Sequence, residues 1–290
     1  MKATIFTSIF MTTICICGAG TMGSGIAQVS ATAGFKTILY DVRDEIIQKA
    51  KSKIENDLRS LLEKKKITAQ QKEDVLQQIF FTSNINDCIA DVIIEAVVEK
   101  LEVKTSLFNQ LNSLNSDHTL FASNTSSLSV SAIAKEISMP ERVAGLHFFN
   151  PAPVMKLVEV VKADTTSDIT ISKLIELTKA FGKTPVVCKD SPGFIVNRVA
   201  RPFYIESLRL VEEGLADFEI IDRLLESKGF KMGPFKLMDL IGNDINYAVS
   251  CFVFEQLNHP ERLKPSDIQK QKVEKGELGK KTGKGYYEYK

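Results

Sequence analysis

The chain has 290 residues, 44% of them hydrophobic and 25% charged, with 37 basic side chains against 36 acidic ones. This is a globular composition, with apolar residues enough for one large or two ordinary domains, and its even charge gives no reason to expect nucleic acid or a membrane surface as partner. Five cysteines, an odd number without a C-x-x-C pair, speak for a reducing, cytoplasmic location and against both a disulfide framework and a zinc site, so no metal is expected.

The opening "MKATIFTSIFMTTICICGAG" has the Lys2 and apolar run of a signal peptide, but cleavage there would remove or abut the glycines that follow. Residues 1–10 are therefore read as a disordered extension, with Met11 as a possible start. No uninterrupted apolar stretch of the roughly 18 residues that a membrane helix needs is present, so no membrane span is expected.

In "ICICGAGTMG" a strand-like run stops in Gly18, Gly20 and Gly23, the G-x-G-x-x-G pattern. Its first glycine makes a tight turn, its second lets the backbone approach a pyrophosphate, and its third lets the next helix sit close to the strand. Cys15 and Cys17 share one face of that strand as small buried hydrophobes. Alone the pattern is weak, because glycine-rich turns are common. Here "GSGIAQVSATAG" follows as a helix ended by Gly34, and "FKTILYD" follows as a strand ended by Asp41. That acid stands about 20 residues past the glycines, where a Rossmann unit binds the adenosine ribose. The agreement predicts a dinucleotide site in which Gly18, Gly20, Thr21, Met22 and Gly23 touch the cofactor. Asp41 should select NAD by repelling the 2′-phosphate of NADP, with Arg43 close enough to soften that choice.

Residues 42–79 hold two amphipathic helical stretches, with "KKK" at 64–66 between them. Apolar runs such as "DVIIEAVVE", "TLFASN", "RVAGLHFF", "KLVEVVKA" and "TPVVC" then alternate with helical patterns, which indicates a mostly parallel sheet with helices on both faces. From Asp190–Gly193 only helical periodicity remains. The predicted fold is thus α/β: a Rossmann-type dinucleotide-binding domain over 1–189, then an all-α domain over 190–290.

Oxidising an alcohol needs a group that takes the hydroxyl proton near neutral pH, and histidine suits that task. His118 and His259 lie in polar, turn-like contexts, whereas His147 in "GLHFFNPAPVMKLVE" ends an apolar strand, where ligand crevices form in open sheets. A core histidine bonded to backbone is the bland alternative. Glu159 sits in the next apolar strand, "KLVEVV", and adjacent strands would bring it against the imidazole. A charge inside an apolar strand needs such a partner, unless it faces solvent at an edge.

The stretches "ICICGAGTMGSGIAQ", "FASNTSSLSV", "GLHFFNPAPVMKLVEVV", "DSPGFIVNR", "MGPFKLMDLIGND" and "GKKTGKGYYEY" resemble, in order and spacing, the 3-hydroxyacyl-CoA dehydrogenase family, and most of all its bacterial 3-hydroxybutyryl-CoA dehydrogenases. The resemblance spans residues 12–290. It implies NAD as cofactor, an acyl-CoA substrate, His147 as general base and Glu159 as its orienting partner. It further implies that Ser126 and Asn197 contact substrate near the reacting carbon. Glu99, Lys104, Ser126, Asn150 and Lys281 fall where the family touches the cofactor, and Lys64 where it touches coenzyme A. Taken locally, Glu99, Lys104 and Lys281 read as solvated charges. Asp57 stands where some members carry a serine near coenzyme A. Related dehydrogenases pair through the helical domain, and the apolar "YAVSCFVFEQL" around Phe252 and Phe254 fits a homodimer through residues 194–290.

Two other functions fit parts of the pattern. A same-fold dehydrogenase of a free hydroxy or sugar acid would keep the glycine turn and His147 without needing a coenzyme A contact. A catalytically inactive nucleotide-binding structural protein would bind NADH without turnover; His147, Glu159, Ser126 and Asn197 together speak against it.

Overall fold

The computed structural model describes residues 13–289; the extension expected over residues 1–10, and Met11, lie outside them. The chain divides into two compact units, one ending at Asp190 and the other beginning at Ser191.

The first unit is built on one eight-stranded sheet. Its strands are β1 (Thr13–Cys17), β2 (Lys36–Tyr40), β3 (Ile79–Thr82), β4 (Val92–Glu95), β5 (Leu120–Ser123), β6 (Val143–Phe148), β7 (Leu157–Lys162) and β8 (Thr184–Lys189). They lie in the order β3-β2-β1-β4-β5-β6-β7-β8, every neighbouring pair parallel except β6 and β7, which are antiparallel. The connecting helices are α1 (Thr21–Thr32), α2 (Asp44–Glu63), α3 (Ala69–Gln77), α4 (Leu101–Leu114), α5 (Val130–Lys135) and α6 (Asp168–Ala180). From β1 the chain winds outward to β3, then returns to β4 on the other side, which makes the C-terminal ends of β1 and β4 the place where a ligand crevice forms.

The central strands are nearly all apolar because both faces of the sheet are covered. Ile14 and Ile16 join Ile26 and Ala27 of α1 in the core, while Cys15 and Cys17 point to the opposite face, their Sγ atoms 3.7 Å apart. Cys88, which no spacing in the sequence connects to them, brings a third buried thiol within 4.8 Å. On α2 only Ile47, Ala50, Ile54 and Leu58 are buried, at the spacing of one helical face. Helix α3 opens with a capping box between Thr68 and Gln71.

The second unit comprises α7 (Val196–Glu212), α8 (Phe218–Ser227), α9 (Pro234–Ile241), α10 (Asn243–Gln256) and α11 (Asp267–Glu274) around Tyr204, Leu208, Ile221, Phe235, Met238 and Tyr286. Buried Asp239 draws the C-terminal segment onto this core by accepting from the backbone N–H groups of Tyr286 and Tyr287 and from the Tyr289 hydroxyl. Phe252 and Phe254, expected on a dimer face, are half-buried against the small core of Ile205, Val253 and Leu263. The large apolar side chains that this unit exposes are others, among them Val199, Leu240 and Ile245. Among the described residues no helix is long and apolar enough to cross a membrane.

Lys183, just past α6, holds the segment that follows β6. Its ammonium donates to the carbonyls of Ala152 at 2.6 Å and Met155 at 2.8 Å, and to that of Pro153 at 3.3 Å. Lys183→Met keeps the apolar stem and leaves these carbonyls without their donor, so it is expected to lower unfolding free energy by about 2–4 kcal/mol, measured as a reduced urea midpoint with the far-ultraviolet circular dichroism retained.

Candidate active site

The chain leaves β1 through Gly18, whose φ of +99° lies in the left-handed region that glycine adopts without strain. A Cβ on Gly18 would stand 2.6 Å from the Ala96 carbonyl oxygen, and one on Gly23 would stand 1.7 Å from that of Gly18. Above Gly20, by contrast, nothing lies within 4 Å. The turn is therefore closed toward the sheet and open on the side from which a diphosphate would come. Helix α1 starts there with no side-chain cap on Gly20 and no acid in its first turn, which leaves its N–H groups to an anion. Thr21 is exposed and Met22 half-buried on that first turn. Asp41, at the end of β2, accepts the Ala19 N–H at 3.0 Å and the Arg43 N–H at 3.2 Å. A ribose diol beside the turn would meet this carboxylate. Small residues, unspent N–H groups and an adjacent acid together fit a dinucleotide.

The next two strand ends carry a cluster of charges. Glu95, the last residue of β4, is fully buried; it accepts from Lys104 Nζ at 2.5 Å, from the Val97 N–H at 2.7 Å and from the Ser123 hydroxyl at 2.7 Å. Lys104 reaches Glu99 as well, at 3.1 Å. It is only 1% exposed, so the reading of Lys104 as a solvated charge does not hold: its stem lies in the core and its ammonium bridges two acids. Glu99 in turn ties down the segment after β5, accepting from the hydroxyls of Thr125 and Ser127 and from the N–H groups of Ser126 and Ser127. Burial pushes the Glu95 carboxyl above the usual range despite Lys104. Burial pushes Glu99 upward too, but the Lys104 charge and the two hydroxyls outweigh it and bring that carboxyl down to about 2.

His147 on β6 and Glu159 on β7 stand directly opposite each other across the antiparallel pair. His147 Nδ1 lies 2.8 Å from Glu159 Oε2, with both residues buried. The Phe149 ring packs on the imidazole with centroids 4.6 Å apart. Asn124, beside Thr125, accepts the Phe148 N–H at 2.8 Å, which joins the segment carrying Ser126 to the strand carrying His147. The structure thus brings the glycine turn, Asp41, Glu99, Lys104, Ser126 and the His147–Glu159 pair to the C-terminal ends of β1, β2, β4, β5 and β6, with Glu159 reaching in from the antiparallel β7.

The remaining predicted residues stand as follows. Asn150 is exposed just beyond β6. Lys64 is exposed at the end of α2, and Asp57 on the same helix is paired with Lys53 at 2.5 Å. In the second unit Asn197 is half-buried in the first turn of α7, and Lys281 pairs with both carboxylate oxygens of Asp244, at 2.6 and 2.7 Å. Glu95 and Asn124 do not stand out in the sequence, where both read as ordinary residues at strand ends.

A dinucleotide cradle and an imidazole–carboxylate pair on one sheet are the equipment of a nicotinamide-dependent oxidoreductase. Residues 13–191 match the NAD-binding domain of 3-hydroxyacyl-CoA dehydrogenase and residues 193–289 match its C-terminal domain. The chain belongs to the 3-hydroxyacyl-CoA dehydrogenase family, and NAD is the cofactor of its first domain. It is 48% identical over 279 residues to the 3-hydroxyadipyl-CoA dehydrogenase of Escherichia coli, an alignment that covers 96% of this chain but only 59% of that protein. To the human mitochondrial hydroxyacyl-coenzyme A dehydrogenase it is 42% identical over 285 residues, covering 96% of this chain and 91% of that one. Among solved structures, the 3-hydroxybutyryl-CoA dehydrogenase of Escherichia coli K12 superposes with a TM-score of 0.94 at 48% identity, covering 96% of this chain and 60% of its own. The (S)-3-hydroxybutyryl-CoA dehydrogenase of Ralstonia eutropha gives 0.92 at 36%, covering 97% and 99%.

The Glu99 contacts make stability depend on pH with a definite sign. A carboxyl held near 2 when folded, against an ordinary 4.5, contributes stability above 4.5 that is lost as pH falls toward 2. The stability gap between wild type and Glu99→Gln is therefore expected to be constant above about pH 5 and to narrow below it. Urea unfolding of both proteins at pH 6, 4 and 3 measures it, and because Glu99 is partly exposed the gap should also shrink with added salt.

Proposed function

We propose that the protein catalyses the reversible NAD-dependent oxidation of the 3-hydroxyl of an acyl-CoA thioester to the 3-ketone, with 3-hydroxybutyryl-CoA or a similarly short chain as substrate. The observation that carries this reading is the buried contact between His147 Nδ1 and Glu159 Oε2 at 2.8 Å, on the sheet that holds the dinucleotide cradle. When bound, NAD supplies the hydride acceptor. His147 takes the hydroxyl proton at Nε2, since Nδ1 is committed to Glu159, and the carboxylate stabilises the imidazolium that results. Ser126 and Asn197 orient the substrate, with the Asn197 amide on the thioester carbonyl. Glu99, Lys104, Asn150 and Lys281 serve the cofactor, and Lys64 serves as a point charge for a coenzyme A phosphate. The motifs that carry these residues, within a chain that matches the family over residues 13–191 and 193–289, support the assignments.

Short-chain butanoate or fatty-acid metabolism is the setting this activity fits. A cytoplasmic location agrees with the odd number of cysteines, all free thiols. The exposed Val199, Leu240 and Ile245 support a homodimer through the helical domain. Light scattering should then give twice the chain mass of 32.2 kDa at micromolar concentration.

The deciding assay follows NADH absorbance with acetoacetyl-CoA, longer 3-ketoacyl-CoAs, 3-oxoadipyl-CoA and free acetoacetate. Turnover of the free acid as fast as its thioester would overturn the acyl-CoA assignment, a preference for 3-oxoadipyl-CoA would move it to dicarboxylates, and tight NADH binding without turnover would leave only a structural role. His147→Gln should lose about 10²–10⁴-fold in kcat with NADH affinity retained, the usual contribution of a general base. Glu159→Gln should also lose activity, because the imidazolium then lacks its counter-charge.

A further inference from the structure

Glu95 is a fully buried acid that the reaction as proposed does not use. Its Oε1 accepts from Lys104 Nζ and the Val97 N–H, and its Oε2 accepts from the Ser123 hydroxyl. Lys104 is thereby one ammonium between two carboxylates, Glu95 at 2.5 Å and Glu99 at 3.1 Å. Of the three, only Glu99 opens to solvent, at 36% exposure. A lysine paired with Glu99 alone would be neutral as a group. Adding Glu95 incurs a further desolvation penalty and leaves one net negative charge behind the ends of β4 and β5. Burial already acts against this charge, raising the Glu95 carboxyl from its ordinary range. The Lys104 ammonium at 2.5 Å makes Glu95 one half of a buried ion pair, a role that a glutamine of the same shape would not perform.

We infer that Glu95 is a positioning residue that holds Lys104 against Glu99 and keeps this group net negative, so that the site favours the oxidised, cationic nicotinamide over the reduced, neutral one. The inference rests on the reading of Glu99 and Lys104 as cofactor residues. Removing one unit of charge from a partly buried site changes affinity for a nearby cation several-fold, and leaves affinity for a neutral ring of the same shape nearly unchanged.

The test is Glu95→Gln, which keeps shape and hydrogen bonding and makes the group neutral. Dissociation constants for NADH come from its fluorescence and those for NAD⁺ from competition with it. The expected result is a rise of about threefold or more for NAD⁺ with less than a twofold change for NADH, and a matching change in the equilibrium between bound oxidised and reduced forms. Equal weakening of both would mean that Glu95 only supports the fold, and no change in either would mean that it does not reach the site; both results overturn the inference. Glu99→Gln separates this from the underlying reading. If it too leaves both constants at the wild-type value, Glu99 is no cofactor residue; if it alters them while Glu95→Gln does not, only the inference about Glu95 falls. Should Glu95→Gln not fold, Glu99→Gln neutralises the same group from its exposed side and should likewise raise the constant for NAD⁺ about threefold or more with less than a twofold change for NADH. Equal weakening of both would overturn the inference.

Discussion

An ionised carboxylate enclosed in a β-sheet must meet a compensating group, and this requirement organises the first unit. Glu95 and Glu159 are both fully buried, the one after Val92, Ile93 and Ile94 of β4 and the other between Val158 and Val160 of β7. Stripping the partner from such an acid costs about 3–5 kcal/mol, a large share of the margin by which a domain is stable. Glu159 finds the His147 imidazole across β6 and β7, and Glu95 finds Lys104, sent down from α4. Each acid thereby fixes a second element at the same end of the sheet.

The same end is stitched by backbone hydrogen bonds that pass from strand to strand. Gly18 donates to Tyr40, Ala96 donates to Cys17, and Asn124 donates to Glu95, each at 2.7 Å. Asn124 then accepts from Phe148 through its side chain. The glycine turn, the acidic loop after β4, the serine-rich segment after β5 and the His147 strand are thus linked in series, so residues far apart in sequence are held with the precision of one ladder. Site residues placed on rigid strand ends keep their geometry better than residues on free loops.

The sequence made this arrangement legible unevenly. Gly18, Gly20, Gly23 and Asp41 stand out because a tight turn admits few residue types and an acid closes the next strand at the expected spacing, and the sheet follows from apolar runs alternating with helical periodicity. Glu159 stands out because it interrupts an apolar strand. Glu95 is equally buried but does not stand out, since an acid at the end of "DVIIE" looks like the polar stop of any strand. What makes it different is Lys104, a residue on another element that reads locally as a surface charge. Alternation tells which face a side chain takes, whereas the partner across the interior depends on how α4 docks on the sheet. Cys88 beside Cys15 and Cys17 was hidden for the same reason.

The pairing of His147 with Glu159 is a matter of register. Successive residues of β7 point to opposite faces, so a slip of one residue would put Val158 or Val160 opposite His147 and turn the acid to the other face. What descendants of this chain must preserve is therefore the ladder between β6 and β7, since an insertion of one residue within either strand would separate His147 from Glu159. Substitution that keeps the alternation of faces leaves the two side chains opposed, so this part of the chain can drift in residue type but not in length.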